Sequence, residues 1–136
     1  MEFTWVSRWR PQALALLRIF AALLFMEHGL AKLFHFPVPQ PGVPSPLPSL
    51  LLTAAIIEVV GGTLVTLGLF TRLAAFVMSG EIAIGYFMAH APKSFWPVVS
   101  GGVPAVLYCF LWLWFSAAGA GPWSLDALLA RRSRPA

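Results

Sequence analysis

Three glutamates stand inside long apolar stretches of this sequence, where an ionisable side chain is costly. Glu27, Glu58 and Glu81 each have apolar residues on both sides. A charged side chain in a membrane segment costs roughly 2.5–3.5 kcal/mol on insertion scales, and such residues pair with one another or mark proton and ion pathways. The three carboxyl groups therefore predict either proton exchange or buried ion pairs that set the packing of helices.

Basic and aromatic side chains accompany these glutamates. Arg18, His28 and Lys32 lie in or beside the apolar stretch that contains Glu27, and Tyr108 lies in a later stretch. His28 and Lys32 are four residues apart, so on a helix they share one face. We predict a site composed of the catalytic residues Glu58, Glu81, Glu27 and His28 and the cofactor-binding residues Arg18, His28 and Tyr108.

Other kinds of site find little support in the sequence. Cys109 is the one cysteine, so no internal disulfide and no dithiol motif can form. A redox role would therefore use a bound cofactor, a quinone or a partner subunit. The histidines show no metal-ligand spacing, so we predict no metal site. Phosphate-binding loops, catalytic triads and nucleic-acid motifs are not found.

The composition identifies the class of protein. Of 136 residues, 59% are hydrophobic and 10% are charged, and the mean hydropathy is +0.79. Average proteins carry roughly 25% charged residues. The net charge of +4 does not indicate nucleic-acid binding, because the basic residues stand at the ends of apolar segments rather than in one stripe. The lipid bilayer is therefore the predicted partner, with no nucleic acid.

Four apolar segments predict the fold. A spanning helix needs about 20 apolar residues, and the segments at about 13–33, 50–70, 73–90 and 103–118 meet or approach that length. Residues 37–48, here called the strap, contain six prolines and predict a stiff connection. We predict one domain over 1–136, an all-α membrane protein with a four-transmembrane-helix bundle and a short C-terminal interfacial helix after Pro122.

The positions of lysine and arginine predict the orientation. Cytoplasmic loops are enriched in these residues. Lys32 and Lys93 lie toward one side of the predicted bundle, and the other basic residues outside the apolar segments lie toward the opposite side. Both termini and the second loop are therefore expected in the cytoplasm. The basic residues on that side are Arg8, Arg10, Arg72, Arg131, Arg132 and Arg134.

The rise of about 1.5 Å per helical residue predicts depth. It places all three glutamates in the middle and outer half of the bilayer, and Tyr108 in the same layer. Arg18 and Arg72 are expected near the inner boundary instead. Glycines beside the glutamates, such as Gly61 and Gly62, would let the helix backbones approach closely.

Motifs around these residues resemble the DoxX family over nearly the whole chain. The resemblance implies a small four-helix inner-membrane protein of bacteria. The family takes its name from a subunit of a thiosulfate:quinone oxidoreductase, and other members are implicated in membrane complexes that handle oxidative or thiol stress. The matching motifs are Leu17–Arg18–Ile19, Glu27–His28–Gly29–Leu30–Ala31–Lys32–Leu33, Ile57–Glu58–Val59–Val60–Gly61–Gly62, Gly80–Glu81–Ile82–Ala83 and Gly121–Pro122–Trp123–Ser124–Leu125–Asp126.

Three functions are compatible with these residues. The first hypothesis is a membrane subunit of a quinone-linked oxidoreductase or redox-stress complex, which receives electrons from a redox partner subunit. Such a chain need not be an enzyme by itself. The second is a small proton-coupled carrier or channel that works as a homo-oligomer. The third is a non-catalytic membrane scaffold whose ion pairs only set helix packing.

Overall fold

The computed structural model describes residues 4–133, and this part of the chain is helical with no strand. Arg134, which belongs to the predicted basic end of the chain, lies outside the described residues. Four long helices form a bundle, and three short helices flank them. The elements are α1 (Thr4–Ser7), α2 (Arg10–Phe34), α3 (Ser49–Leu67), α4 (Thr71–Ala89), α5 (Pro97–Ser100), α6 (Val103–Ala118) and α7 (Leu125–Arg132).

Three of the long helices have the dimensions of membrane spans. α2, α3 and α4 contain 25, 19 and 19 residues and are long and apolar enough to cross a membrane by length and composition. α6 is also apolar but contains 16 residues, fewer than the roughly 20 that a span usually needs. The prediction of an all-α membrane protein is confirmed, whereas a fourth crossing stays a prediction.

The turn between α3 and α4 is set by glycine. α3 ends at Leu67, three residues before the predicted boundary, because Gly68 adopts the left-handed conformation with φ 67°. Its N–H donates hydrogen bonds to the carbonyl oxygens of Leu64 and Val65, which is a common way for a helix to end. α4 begins at Thr71. So short a connection makes α3 and α4 antiparallel neighbours.

Close approach of α2 and α3 depends on two glycines. A Cβ atom on Gly29 would lie 2.7 Å from the carbonyl oxygen of Ala55, and one on Gly62 would lie 2.9 Å from Cβ of Met26. Cβ atoms in proteins essentially never approach other atoms this closely, so a larger residue at either position would push the helices apart. Because helix association in lipid relies on packing contacts rather than on the hydrophobic effect, such small residues bring the backbones together.

Aromatic side chains fill the space between α2 and α6. The ring of Phe25 lies 5.2 Å from that of Tyr108 and 5.5 Å from that of Trp112, measured between centroids. Phe25, Trp112 and Phe115 are buried, together with Met78 of α4. The close backbone packing, by contrast, joins α2 with α3, α3 with α4, and α4 with α6. Side chains therefore form the main contact between the first and last long helices.

Residues 119–126, here called the C-terminal anchor, fold back onto the end of the bundle where α2 begins. Arg18 is fully buried there, and its guanidinium donates hydrogen bonds to the carbonyl oxygens of Ala120 and, at 2.7 Å, of Trp123. The carboxylate of Asp126 accepts from the backbone N–H groups of Phe70 at 2.9 Å and Thr71 at 3.0 Å. These bonds satisfy donors at the start of α4.

Candidate functional site

A buried ion pair joins the first two long helices. The ammonium nitrogen of Lys32 lies 2.6 Å from Oε1 and 2.7 Å from Oε2 of Glu58. The two side chains are 9% and 3% exposed. Gly29 makes the contact feasible, because a Cβ atom there would lie 2.9 Å from Cβ of Glu58 and would push the helices apart. A buried pair of this kind is costly to break, since removing one partner strands the other charge.

Glu81 of α4 lies next to this pair. It is close enough to Glu58 and Lys32 to interact electrostatically with both. Its Oε2 atom is buried and has no hydrogen-bond partner among the described residues. A buried polar atom normally has a partner in the protein or in ordered water. The cluster thus holds one cation and two carboxyl groups, an arrangement suited to holding and passing a proton.

His28 and Tyr108 extend the cluster toward the lipid-facing surface between α2 and α6. Their rings are 6.5 Å apart and nearly perpendicular. The Nδ1 atom of His28 lies 3.2 Å from the carbonyl oxygen of Leu24 on its own helix. If Nδ1 donates that hydrogen bond, Nε2 is an acceptor that is open to a ligand. Glu27 is exposed beside them and within electrostatic range of Tyr108.

The structure separates Arg18 from the other predicted site residues. It lies ten residues before His28 on α2, which corresponds to about 15 Å along the helix axis. Its donors are directed at Ala120 and Trp123 in the C-terminal anchor. The other five predicted residues do lie in one neighbourhood, and these are Glu27, His28, Glu58, Glu81 and Tyr108.

Lys32 is the member of this cluster that the predicted site did not include. The sequence could have indicated Lys32 as a site residue, because it lies four residues after His28 and so shares one helix face with it. The sequence did not show which glutamate this face would meet. The answer depends on how far α2 is shifted along α3, and that shift is fixed by the contact of Gly29 with Ala55.

A cavity lies beneath the strap, at the end of α2 that carries Lys32. Its volume is about 290 Å³, and we call it the strap cleft. The side chain of Gln40 contributes to its wall, and the Oε1 atom of Gln40 is buried without a hydrogen-bond partner among the described residues. The cleft is lined by Ala31, Lys32, Leu33, His35, Pro39, Gln40, Val43, Pro44, Ser45, Leu47 and Leu52.

A second, more open cavity of about 630 Å³ lies at the opposite end of the bundle, against the C-terminal anchor. Its charged side chains are Arg72 and Asp126. Arg72 donates to carbonyl oxygens at the end of α6, including that of Ala117, and Asp126 accepts from backbone N–H groups. Because these groups already serve the backbone, we assign no ligand to this cavity. Within residues 4–133, no three His, Cys, Asp or Glu side chains lie close enough together to hold a metal ion.

Comparison with known proteins places the chain in a family. The DoxX family model matches residues 13–91, which include all of α3 and α4 and almost all of α2. An uncharacterized protein of Haemophilus influenzae is 44% identical over 128 residues, covering 89% of this chain and 93% of the relative. An uncharacterized membrane protein of Mycobacterium tuberculosis is 29% identical over 144 residues, covering 90% of this chain and 85% of the relative. No solved structure matches the chain. The family match confirms the resemblance seen in the sequence motifs, and the chain belongs to the DoxX family.

Proposed function

We propose that this protein is the membrane subunit of a quinone-linked oxidoreductase or redox-stress complex. The observation that carries the proposal is the Glu81 carboxyl group, near the Lys32–Glu58 pair, whose buried Oε2 atom has no hydrogen-bond partner within residues 4–133. A quinone takes up protons as well as electrons when it is reduced. Its site therefore needs buried groups that can give and regain a proton, and these carboxyl groups meet that need.

The residues around the cluster fit a quinone headgroup. Its carbonyl oxygens are acceptors to which the Tyr108 hydroxyl can donate, and Nε2 of His28 can accept from a hydroxyl group of the reduced form. Both side chains lie at the junction of α2 and α6, where His28 is exposed at the surface of the bundle. A bound quinone would supply the electron chemistry, while His28 and Tyr108 orient its ring and Glu81 and Glu58 hold the protons. Electrons would come from a redox partner subunit.

The same proposal includes the membrane arrangement. We place the protein in the bacterial inner membrane with four spans, α2, α3, α4 and α6, and with both termini in the cytoplasm. At 1.5 Å per residue the 16 residues of α6 extend about 24 Å. A local thinning of the bilayer accommodates that length at modest cost. The basic residues near the C-terminal anchor support the orientation.

Quinone content tests this function directly. Lipid extraction and mass spectrometry of the purified wild type should recover a quinone in stoichiometric amount, and Glu81→Gln should lose most of it. Glu81→Gln is the sharpest variant, because it removes the ionisable group without breaking the Lys32–Glu58 pair. Asp126→Asn serves as the matched control, since Asp126 lies at the other end of the bundle and should leave the quinone bound. Absence of quinone from folded wild-type protein would contradict the proposal.

A proton-coupled carrier is the second candidate, and the strap cleft favours it. The cleft reaches Lys32, so that a buried ion pair is adjacent to a cavity. Four helices provide few walls for a transport path, so this function would need a homo-oligomer. Proton flux into liposomes that contain the protein, together with bound-quinone measurement, separates the two candidates. Flux without quinone would favour the carrier, and quinone without flux would favour the oxidoreductase subunit.

A further inference from the structure

Lys32, which lines the strap cleft, has one N–H donor that its hydrogen bonds to Glu58 do not use. A lysine ammonium carries three N–H donors, and the hydrogen bonds from Lys32 to Glu58 use two of them. On the other side of the cleft, His35 and Ser45 are exposed polar residues of its lining. The cleft therefore offers the third N–H donor of Lys32 and further polar side chains to an occupant.

Water can form hydrogen bonds with these polar groups, and a lipid chain cannot. One water molecule occupies about 30 Å³ in the liquid, so a cavity of about 290 Å³ has room for several. An acyl chain in the same space would leave the ammonium group of Lys32 and the polar side chains of the lining in an apolar environment, which is costly. The size and the polarity of the cleft thus both indicate that water occupies it.

The cleft is open toward the surface and reaches the ion pair from one side. His35, Pro39 and Pro44, which belong to its lining, are exposed. Deeper in the cleft, the side chain of Lys32 is 9% exposed, whereas that of its partner Glu58 is 3% exposed. Lys32 is therefore the member of the pair that faces the cleft, and Glu58 lies behind it.

We propose that the strap cleft is a hydrated access route that connects the Lys32–Glu58 pair with the aqueous phase on the strap side of the membrane. Protons then reach the buried carboxyl groups from that side, first at the pair and then at Glu81. His28 and His35 are the other titratable groups near this route. The use of these protons rests on the proposed function, but the hydration of the cleft does not.

Cysteine accessibility in the membrane tests the route. The native Cys109 is first replaced by alanine, and single cysteines are then placed at Ala31, which lines the cleft, and at Ile56. Ile56 is the matched control, because it is exposed on α3 and lies about one helical turn deeper but does not line the cleft. Each variant is treated in vesicles, from the strap side, with a permanently charged methanethiosulfonate reagent and separately with an apolar one.

The expected result is rapid reaction of Ala31→Cys with the charged reagent and slow reaction of Ile56→Cys. The difference should be on the order of a hundredfold, which matches the cost of bringing a charge into the hydrocarbon region. A second substitution, Val43→Trp, should fill the cleft and slow the labelling at position 31. Val38→Trp is its control, because Val38 is an exposed strap residue outside the cleft lining.

Two outcomes would overturn the proposal. The first is reaction of Ala31→Cys with the apolar reagent alone, which would show a dry cleft. The second is equal charged labelling at positions 31 and 56, which would show that the cleft gives no special access. Failure of the proposed function has a different signature, namely absence of quinone from protein whose cleft still labels.

Discussion

Lys32 donates to both carboxylate oxygens of Glu58, so the first two long helices share one pair of opposite charges inside the protein. The energetics of such a pair are asymmetric. Forming it in a low-dielectric interior gains little, because desolvation offsets the attraction, but removing one partner leaves a buried charge alone. The pair therefore adds little stability, but it penalises any packing of α2 and α3 that separates Lys32 from Glu58.

The first prediction concerns this asymmetry. Glu58→Gln should lower the free energy of unfolding by about 3–5 kcal/mol, because Lys32 is left buried without its counter-charge. The double variant Lys32→Met with Glu58→Leu should be far closer to the wild type. Reversible unfolding in mixed micelles measures both variants. Equal stability of Glu58→Gln and the wild type would show that the pair is not buried in the membrane.

The second prediction concerns the glycine at the α2–α3 contact. Gly29→Ala should destabilise the protein by about 1–3 kcal/mol, the usual cost of overpacking, because the new Cβ would meet the carbonyl oxygen of Ala55 at 2.7 Å. The matched control is Gly80→Ala on α4, where nothing lies within 4 Å of an added Cβ. That variant should be neutral or slightly stabilising, since alanine favours helix. The same unfolding measurement compares them, and equal effects would contradict the packing.

The third prediction concerns the start of α4. Asp126→Ala removes the acceptor for the N–H groups of Phe70 and Thr71 and should cost about 0.5–2 kcal/mol, as expected for a lost helix cap. Asp126→Asn keeps one amide oxygen as acceptor and should retain part of that stability. Hydrogen exchange at the amides of residues 70 and 71 reports the change directly. Unchanged protection of these amides in Asp126→Ala would rule out the capping contact.

The fourth prediction concerns Arg18. Arg18→Met should release the C-terminal anchor, because the carbonyl oxygens of Ala120 and Trp123 lose their charged donor. Each such hydrogen bond contributes about 1.5–3 kcal/mol. Trypsin should then cleave at Arg131 and Arg132 faster than in the wild type. Because Arg18 lies about 15 Å from His28 along the helix, the bound quinone should persist; its loss from folded Arg18→Met would restore Arg18 as a cofactor-binding residue.

Hydropathy and charge made much of this architecture predictable. Apolar segments near the length of a bilayer indicate helices, and a glutamate inside one is conspicuous because few neighbours can neutralise it. The partner of Glu58 was not predictable in the same way. Arg18, Arg72, His28 and Lys32 were all plausible partners, since the choice depends on interhelical register. Register follows from atomic contacts such as that of Gly29 with Ala55, and these leave no periodic trace in the sequence.

The role of Arg18 was hidden for a related reason. Its partners are backbone carbonyl groups, more than 100 positions away in the sequence. Every residue carries such a carbonyl, so no residue type marks the acceptors. The sequence predicted a short helix after Pro122 but not the contacts that the C-terminal anchor makes. Its contact with the start of α4 through Asp126 depends on how the bundle closes.

The contact between Arg18 and residues 120–123 also has a consequence for biosynthesis. α2 leaves the ribosome about 100 residues before the carbonyl groups that receive its guanidinium. Until then the guanidinium group must donate its hydrogen bonds to water or to lipid headgroup oxygens at the membrane boundary. The long helices can pack in order during synthesis, but this contact forms only after residues 120–123 have emerged. The final closure occurs once the segment after α6 has been released to fold back on the first helix.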